Sequence, residues 1–373
     1  MKHGWAAFGL AVWAAAATPC EAAQAVAAPA QTVAADKDLQ DARAAVEMIG
    51  ALPPGAIHEL YPVEIGGIQQ WISVRGARRD NPLLLFVHGG PGWAMMPTSW
   101  AFQRPWEDFF TVVQWDQRGA GKTFAANGRE AIVPTLTIDR MERDAEEMVL
   151  YLRKKYQKQK IILVGHSWGS ALGVKLAQAH PEWFYAYVGI GQLVNMQRNE
   201  KESYRLVLAA ARESADPAGL AELRAIEPYP EPAGHIPPDK TMKERDWVVH
   251  YGGMRYGMQS DDEAHLIALS PQYSAAEAGQ FEAAAIASLP ALWPQLESLD
   301  FDKMTSFKCP VILFAGRHDM TTPTSIAAAW FATLQAPVKK LFWFENSAHY
   351  VVNEEPGLAL DHLVHDVRPL ASQ

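Results

Sequence analysis

Residues 161–179 read IILVGHSWGSALGVKLAQA, a continuous apolar run, then a serine between two nearby glycines, then a helical pattern. An apolar run of this length suits a strand buried on both faces of a parallel sheet. A strand that turns at once into a helix holds the residue between them in a strained conformation. Gly165 and Gly169 lack the β-carbons that would collide around such a turn. The hydroxyl of Ser167 is then presented at a helix N-terminus, at the carboxyl end of a strand where ligands of α/β sheets gather. A serine that only caps the following helix is the structural alternative.

Similar runs recur along the chain, at 83–88 (LLLFVH), 110–116 (FTVVQWD), 185–191 (YAYVGIG), 311–316 (VILFAG) and 340–345 (KLFWFE). A hairpin signal, Gly66-Gly67, divides two β-rich stretches that begin at Ile57. Between strands lie amphipathic helical patterns such as Ile138–Tyr156, where Ile138, Met141, Ala145, Met148 and Leu152 recur at helical spacing. The alternation predicts an α/β fold, a mostly parallel sheet with helices on both faces. It breaks between 193 and 305, a proline-containing helical region inserted after the sixth strand and expected to form a lid. The sheet-forming parts are then 51–192 and 306–373.

The N-terminus reads as a targeting segment. Lys2 precedes an apolar run from Trp5 to Ala17, with small residues at Ala22 and Ala23, so 1–23 is expected to be a secretory signal peptide and the chain to be exported, periplasmic or secreted. The run falls short of the ~20 residues a membrane span needs, so no stable insertion is expected after its removal. Residues 24–50 are read as an Ala-rich linker. Removal of the signal would take Cys20 away and leave Cys309 without a disulfide partner. With a net charge of −9 the chain offers no basic footprint for nucleic acid. HExxH, paired CxxC and a GxGxxG after a strand are all missing, so neither metal nor cofactor is expected.

A serine hydroxyl is a poor nucleophile at neutral pH and needs a histidine base, itself oriented by a carboxylate. Asp319 follows the strand at 311–316 and His349 follows the strand at 340–345, the loop positions and chain order such a serine calls for. Glu345 and His318 are their nearby competitors, while His362 and His365 read as surface residues of a C-terminal helix. Charge developing on a carbonyl oxygen also needs two aimed N–H donors. Trp168 supplies one from the turn, and the loop HGGPG (88–92) supplies the other, Gly90 by preference and Gly89 in reserve.

Together HGGPG (88–92), WDQRGAGKT (115–123), GHSWGS (165–170), GRHD (316–319) and SAHYVVNEEP (347–356) resemble the proline iminopeptidase branch of the α/β-hydrolase superfamily. The resemblance implies Ser167, Asp319 and His349 as a catalytic triad, with the Gly90 and Trp168 amides as oxyanion hole. It suggests an ion pair between Asp116 and Arg118 shaping the site floor. In that family lid carboxylates hold the substrate's free amino group, but the lid signature WxxWE is missing here. Glu200 and Glu202 are the candidates for that task, or else outward solvated charges. Trp247, Tyr251, Met254, Tyr256, Met258 and Trp293 are candidates for an apolar pocket, or else lid core. The expected function is an exported serine hydrolase releasing N-terminal proline or small residues from short peptides. The alternative is an esterase or amidase acting on a bulky apolar ester, amide or xenobiotic. A non-catalytic binding module would have no need of all three triad residues.

Overall fold

A computed structural model describes residues 31–260 and 263–372; the expected signal peptide lies outside the described residues. Eight strands form one sheet in the order β1-β2-β4-β3-β5-β6-β7-β8. They are β1 (Ile57–Ile65), β2 (Ile68–Gly76), β3 (Leu83–Val87), β4 (Thr111–Trp115), β5 (Ile161–His166), β6 (Phe184–Ile190), β7 (Val311–Gly316) and β8 (Lys339–Phe344). The hairpin β1–β2 turns at Gly66-Gly67, β2 meets β4 antiparallel, and every later pairing is parallel.

Successive side chains of the central strands go to opposite faces, and each face has its own core. Leu83, Leu85, Val87 and Leu163 join Met141, Met148 and Leu172 on one side. Leu84, Phe86, Ile162, Val164 and Phe314 join Trp106 and Val367 on the other. Because both faces are covered, β3, β4, β5 and β7 are buried at every position, which is why their sequences read as unbroken apolar runs.

Helices complete the layers. α1 (Gln31–Ile49) precedes the sheet; α2 (Gly121–Asn127), α3 (Arg129–Ile132) and α4 (Ile138–Lys155) lie between β4 and β5, and α5 (Trp168–Ala179) follows β5. The helical insertion between β6 and β7 holds α6 (Met196–Glu213), α7 (Pro217–Ala225), α8 (Pro238–His250), α9 (Ala264–Ala268), α10 (Ala275–Gly279) and α11 (Phe281–Leu296). α12 (Thr324–Thr333), α13 (Val351–Glu354) and α14 (Pro356–His362) close the fold. Among the described residues no helix is long and apolar enough to cross a membrane.

The linker expected over 24–50 is corrected from Gln31 onward, where the chain is helix α1. Alanine has the highest helix propensity, so an Ala-rich composition suits a helix as well as a linker. What holds this one is long-range. The Arg43 guanidinium donates to the carbonyl oxygens of Ser270, at 2.7 Å, and Tyr273. Val46 is buried, and Arg75 donates to the Gly50 carbonyl at 2.5 Å.

Candidate active site

Ser167 stands between β5 and α5 with φ 53° and ψ −121°, a left-handed conformation that L side chains rarely adopt. Two features hold it there. Its amide donates to the Ile190 carbonyl at 2.9 Å, and its carbonyl accepts from the Ser170 amide at 2.8 Å. The flanking glycines are sterically required, since a β-carbon on Gly169 would lie 2.1 Å from the Val87 carbonyl oxygen and one on Gly165 2.6 Å from that of Gly169. The serine is therefore a strained elbow rather than a cap, and its side chain makes no capping bond to the helix.

Asp319, in the loop after β7, reaches His349, in the loop after β8: Oδ2 lies 2.9 Å from Nδ1. The carboxylate is fixed on its other side by the Thr321 and Thr322 amides, each 2.8 Å from Oδ1, while Thr322 Oγ1 donates to Oδ2 at 2.9 Å. The main chain of His349 is fixed too. Its N–H donates to the Met254 carbonyl at 3.1 Å, and its carbonyl accepts from His166 Nε2 at 3.0 Å. Burial and the nearby His349 hold the His166 pKa well below the ordinary value, so His166 serves as a neutral donor. Glu345, the competing carboxylate, is exposed and grips Arg317 with both oxygens, at 2.6 and 2.9 Å. His318 stacks on Tyr256.

Ser167 and His349 line one cavity of about 200 Å³, together with Gly90 and Trp168. The Trp168 amide belongs to the first turn of α5, where no intrahelical acceptor exists. Gly90 has φ +106°. Gly89 lies directly against the elbow, close enough that a β-carbon there would come 3.0 Å from Ser167 Cβ.

The insertion supplies the facing wall, and here the structure separates the candidates. Glu200 lines the cavity, fully buried, and is bound by Arg245 at 2.5 Å, Asn199 Nδ2 at 3.0 Å and the Tyr229 hydroxyl. Arg245, also on the wall, is shared with a second buried carboxylate, Glu244, which accepts from Ser203 Oγ at 2.6 Å. Burial, opposed by Arg245 and reinforced by Glu200, pushes Glu244 up to about 7. Met254 and Trp293 line the cavity as expected for an apolar pocket, with Leu193, Met196, Leu289 and Leu296 beside them.

Five other candidates are corrected. Glu202, two residues on from Glu200 and so on the other side of α6, is paired with Arg205 at 2.7 Å and stands away from the cavity. Trp247 stacks on Tyr251, and both turn toward α7, donating to Glu222 at 3.2 Å and to Asp216 at 2.9 Å. Tyr256 and Met258 are exposed. Asp116 and Arg118 also part company. Arg118 binds Asp144 at 2.6 Å, whereas Asp116 accepts from the Lys122 amide at 2.8 Å and from the Tyr273 hydroxyl. Burial raises the Asp116 pKa to about 7. Sequence reasoning passed over Glu244, Arg245, His88 and Gln117. The last two sit inside the quoted motifs, which were the available signal.

A family model described as alpha/beta hydrolase fold matches residues 82–356. The chain is 29% identical over 309 residues to a probable aminopeptidase, YbaC, of Bacillus subtilis, an alignment spanning 82% of this chain and 95% of that protein. A proline iminopeptidase of Arabidopsis thaliana is 30% identical over 133 residues, 36% of this chain and 30% of that one. Among solved structures, the proline iminopeptidase of Mycobacterium smegmatis superposes with a TM-score of 0.59 at 16% identity, covering 84% of this chain and 99% of its own. The chain belongs to the α/β-hydrolase superfamily, in the branch that resembles the proline iminopeptidases.

Proposed function

We propose that the chain is a serine hydrolase with Ser167, His349 and Asp319 as its triad. The observation that carries the reading is the strained elbow at Ser167 opening on the same cavity as a histidine whose Nδ1 is held by a buried aspartate. His349 Nε2 takes the proton as Ser167 Oγ attacks the substrate carbonyl, and the Gly90 and Trp168 amides receive the oxyanion. Collapse expels the amine or alcohol, which leaves with that proton. Water, deprotonated by His349, then attacks the acyl-serine and releases the acid. Phosphonylation of Ser167 by a fluorophosphonate is expected; labelling elsewhere would remove the reading.

The preferred substrate is a short peptide or aminoacyl amide with a free amino terminus, proline or a small residue first. Two buried carboxylates, Glu200 and Glu244, face one guanidinium, Arg245, so the fully ionised wall carries one uncompensated negative charge. A substrate ammonium supplies the missing charge. Removing one side of such a pair costs about 2–5 kcal/mol, a roughly 30-fold to several-thousand-fold fall in kcat/KM. Acetylating the substrate amine should bring that loss, and Glu200→Gln should reproduce it for the free amine while leaving the acetylated compound little changed. The apolar remainder of the cavity, with Trp293, Met196 and Met254, favours a second reading, an esterase or amidase for a bulky apolar acyl group. Equal or faster turnover of the acetylated compound would select it.

Export belongs to the same proposal, supported by Lys2 and the Trp5–Ala17 run. Mass spectrometry of the native protein should find its N-terminus after Ala22 or Ala23; intact Met1 would refute export.

A further inference from the structure

The two amides assigned to the oxyanion come from separate parts of the chain, one after β3 and one at the start of α5. Their spacing therefore depends on non-covalent contacts behind the cavity, and one fully buried side chain touches both sides. Gln117, in the loop after β4, donates from Nε2 to the His88 carbonyl at 2.9 Å and accepts from the indole Nε1–H of Trp168 at 3.2 Å. Its main-chain N–H also donates to His88 Nε2 at 3.2 Å.

That last bond fixes the His88 tautomer. With Nε2 an acceptor, the ring proton sits on Nδ1 and donates to the Gly89 carbonyl at 2.8 Å. Burial pushes the His88 pKa down to about 4, so the ring is neutral and keeps this orientation near neutral pH. Gln117 thus contacts the His88 carbonyl, the His88 ring and the Trp168 indole, and reaches the Gly89 carbonyl through the ring. The role needs a donor and an acceptor on the same side chain. Glutamate would turn lone pairs toward the His88 carbonyl, and methionine would leave both partners unsatisfied.

We propose that Gln117 is a positioning residue for the oxyanion hole, holding the Gly90 and Trp168 amides in register through His88 and the Trp168 indole. The inference rests on the serine-hydrolase reading above, and the test separates the two. The measured quantity is the rate of Ser167 phosphonylation by a fluorophosphonate, which needs no knowledge of the natural substrate. Gln117→Met keeps the main-chain bond to His88 and removes both side-chain bonds.

Since losing an oxyanion donor outright costs about 100- to 1,000-fold, loss of its alignment is expected to slow labelling roughly 10- to 100-fold, with the probe's saturation constant unchanged. Trp168→Phe, which deletes the indole donor together with part of the ring's volume, should slow it several-fold, and the double variant should be no slower than Gln117→Met alone. A folded Gln117→Met that labels at the wild-type rate, or fully additive losses in the double variant, would overturn the proposal. If Gln117→Met does not fold, Trp168→Phe decides, and an unchanged rate there overturns it. An unreactive Ser167 in the wild-type chain would instead bring down the serine-hydrolase reading, and this inference with it.

Discussion

At His349 Nδ1, Glu345 is the carboxylate nearer in sequence and Asp319 lies 30 residues away, and reach decides between them. Asp319 sits 2.9 Å away with its other oxygen tied to two amides, so it holds the imidazole without moving. Glu345 is spent on Arg317 at the surface. Asp319→Asn is therefore expected to lower kcat about 10⁴-fold, the scale seen when a triad histidine loses its orienting charge. Glu345→Gln should leave kcat within about twofold, as befits a solvent-exposed ion pair. Steady-state kinetics on any turned-over ester or amide would check the ranking, and the reverse order would reassign the triad acid.

Among the elements, the β5–α5 junction and the insertion behave differently under substitution. Gly169→Ala drives a methyl into the Val87 carbonyl, which is backbone and cannot yield as a flexible side chain would. Overpacking costs about 1–3 kcal/mol even where side chains can adjust, so this variant should lose at least that much in denaturant unfolding and lose its activity with it. In the insertion, Tyr251→Phe removes a bond to Asp216 outside the cavity and should leave kcat/KM within about twofold despite a lower thermal midpoint. Trp293→Ala opens the cavity wall and should raise KM roughly tenfold. The strands, the elbow and the order of serine, acid and histidine were legible in the sequence because burial on both faces and a sharp turn leave local marks. The insertion was less so. Helical periodicity identifies the buried side of α6 and α8, but buried positions look either at a cavity or at a neighbouring helix, and sequence does not distinguish Glu200 from Tyr251 on that score. The helix α1 was hidden for a related reason, since its anchors at Ser270 and Tyr273 lie more than two hundred residues away.

For the molecule as a whole, buried ionisable groups pull stability in opposite directions. His88 and His166, with lowered pKa values, favour the folded state at high pH and give that stability up as pH falls below about 6.5. Asp116 and Glu244 have raised values, so the folded state binds their protons more tightly; that stability is complete below about 4 and is lost as pH rises to about 7. Asp116→Asn should remove one such loss while keeping an acceptor for Tyr273 and Lys122. The thermal midpoint of the variant relative to wild type should then climb by roughly a few degrees between pH 5 and pH 8, and a constant difference would mean that Asp116 ionises as freely in the folded chain as in the unfolded one. Glu244 adds a consequence for heat rather than rate. A cationic ligand beside Glu200, Arg245 and Glu244 makes the Glu244 proton redundant, so binding near pH 7 should release part of a proton to the buffer. Calorimetric titration of Ser167→Ala with an aminoacyl amide should therefore be more exothermic in Tris, whose protonation gives out heat, than in phosphate.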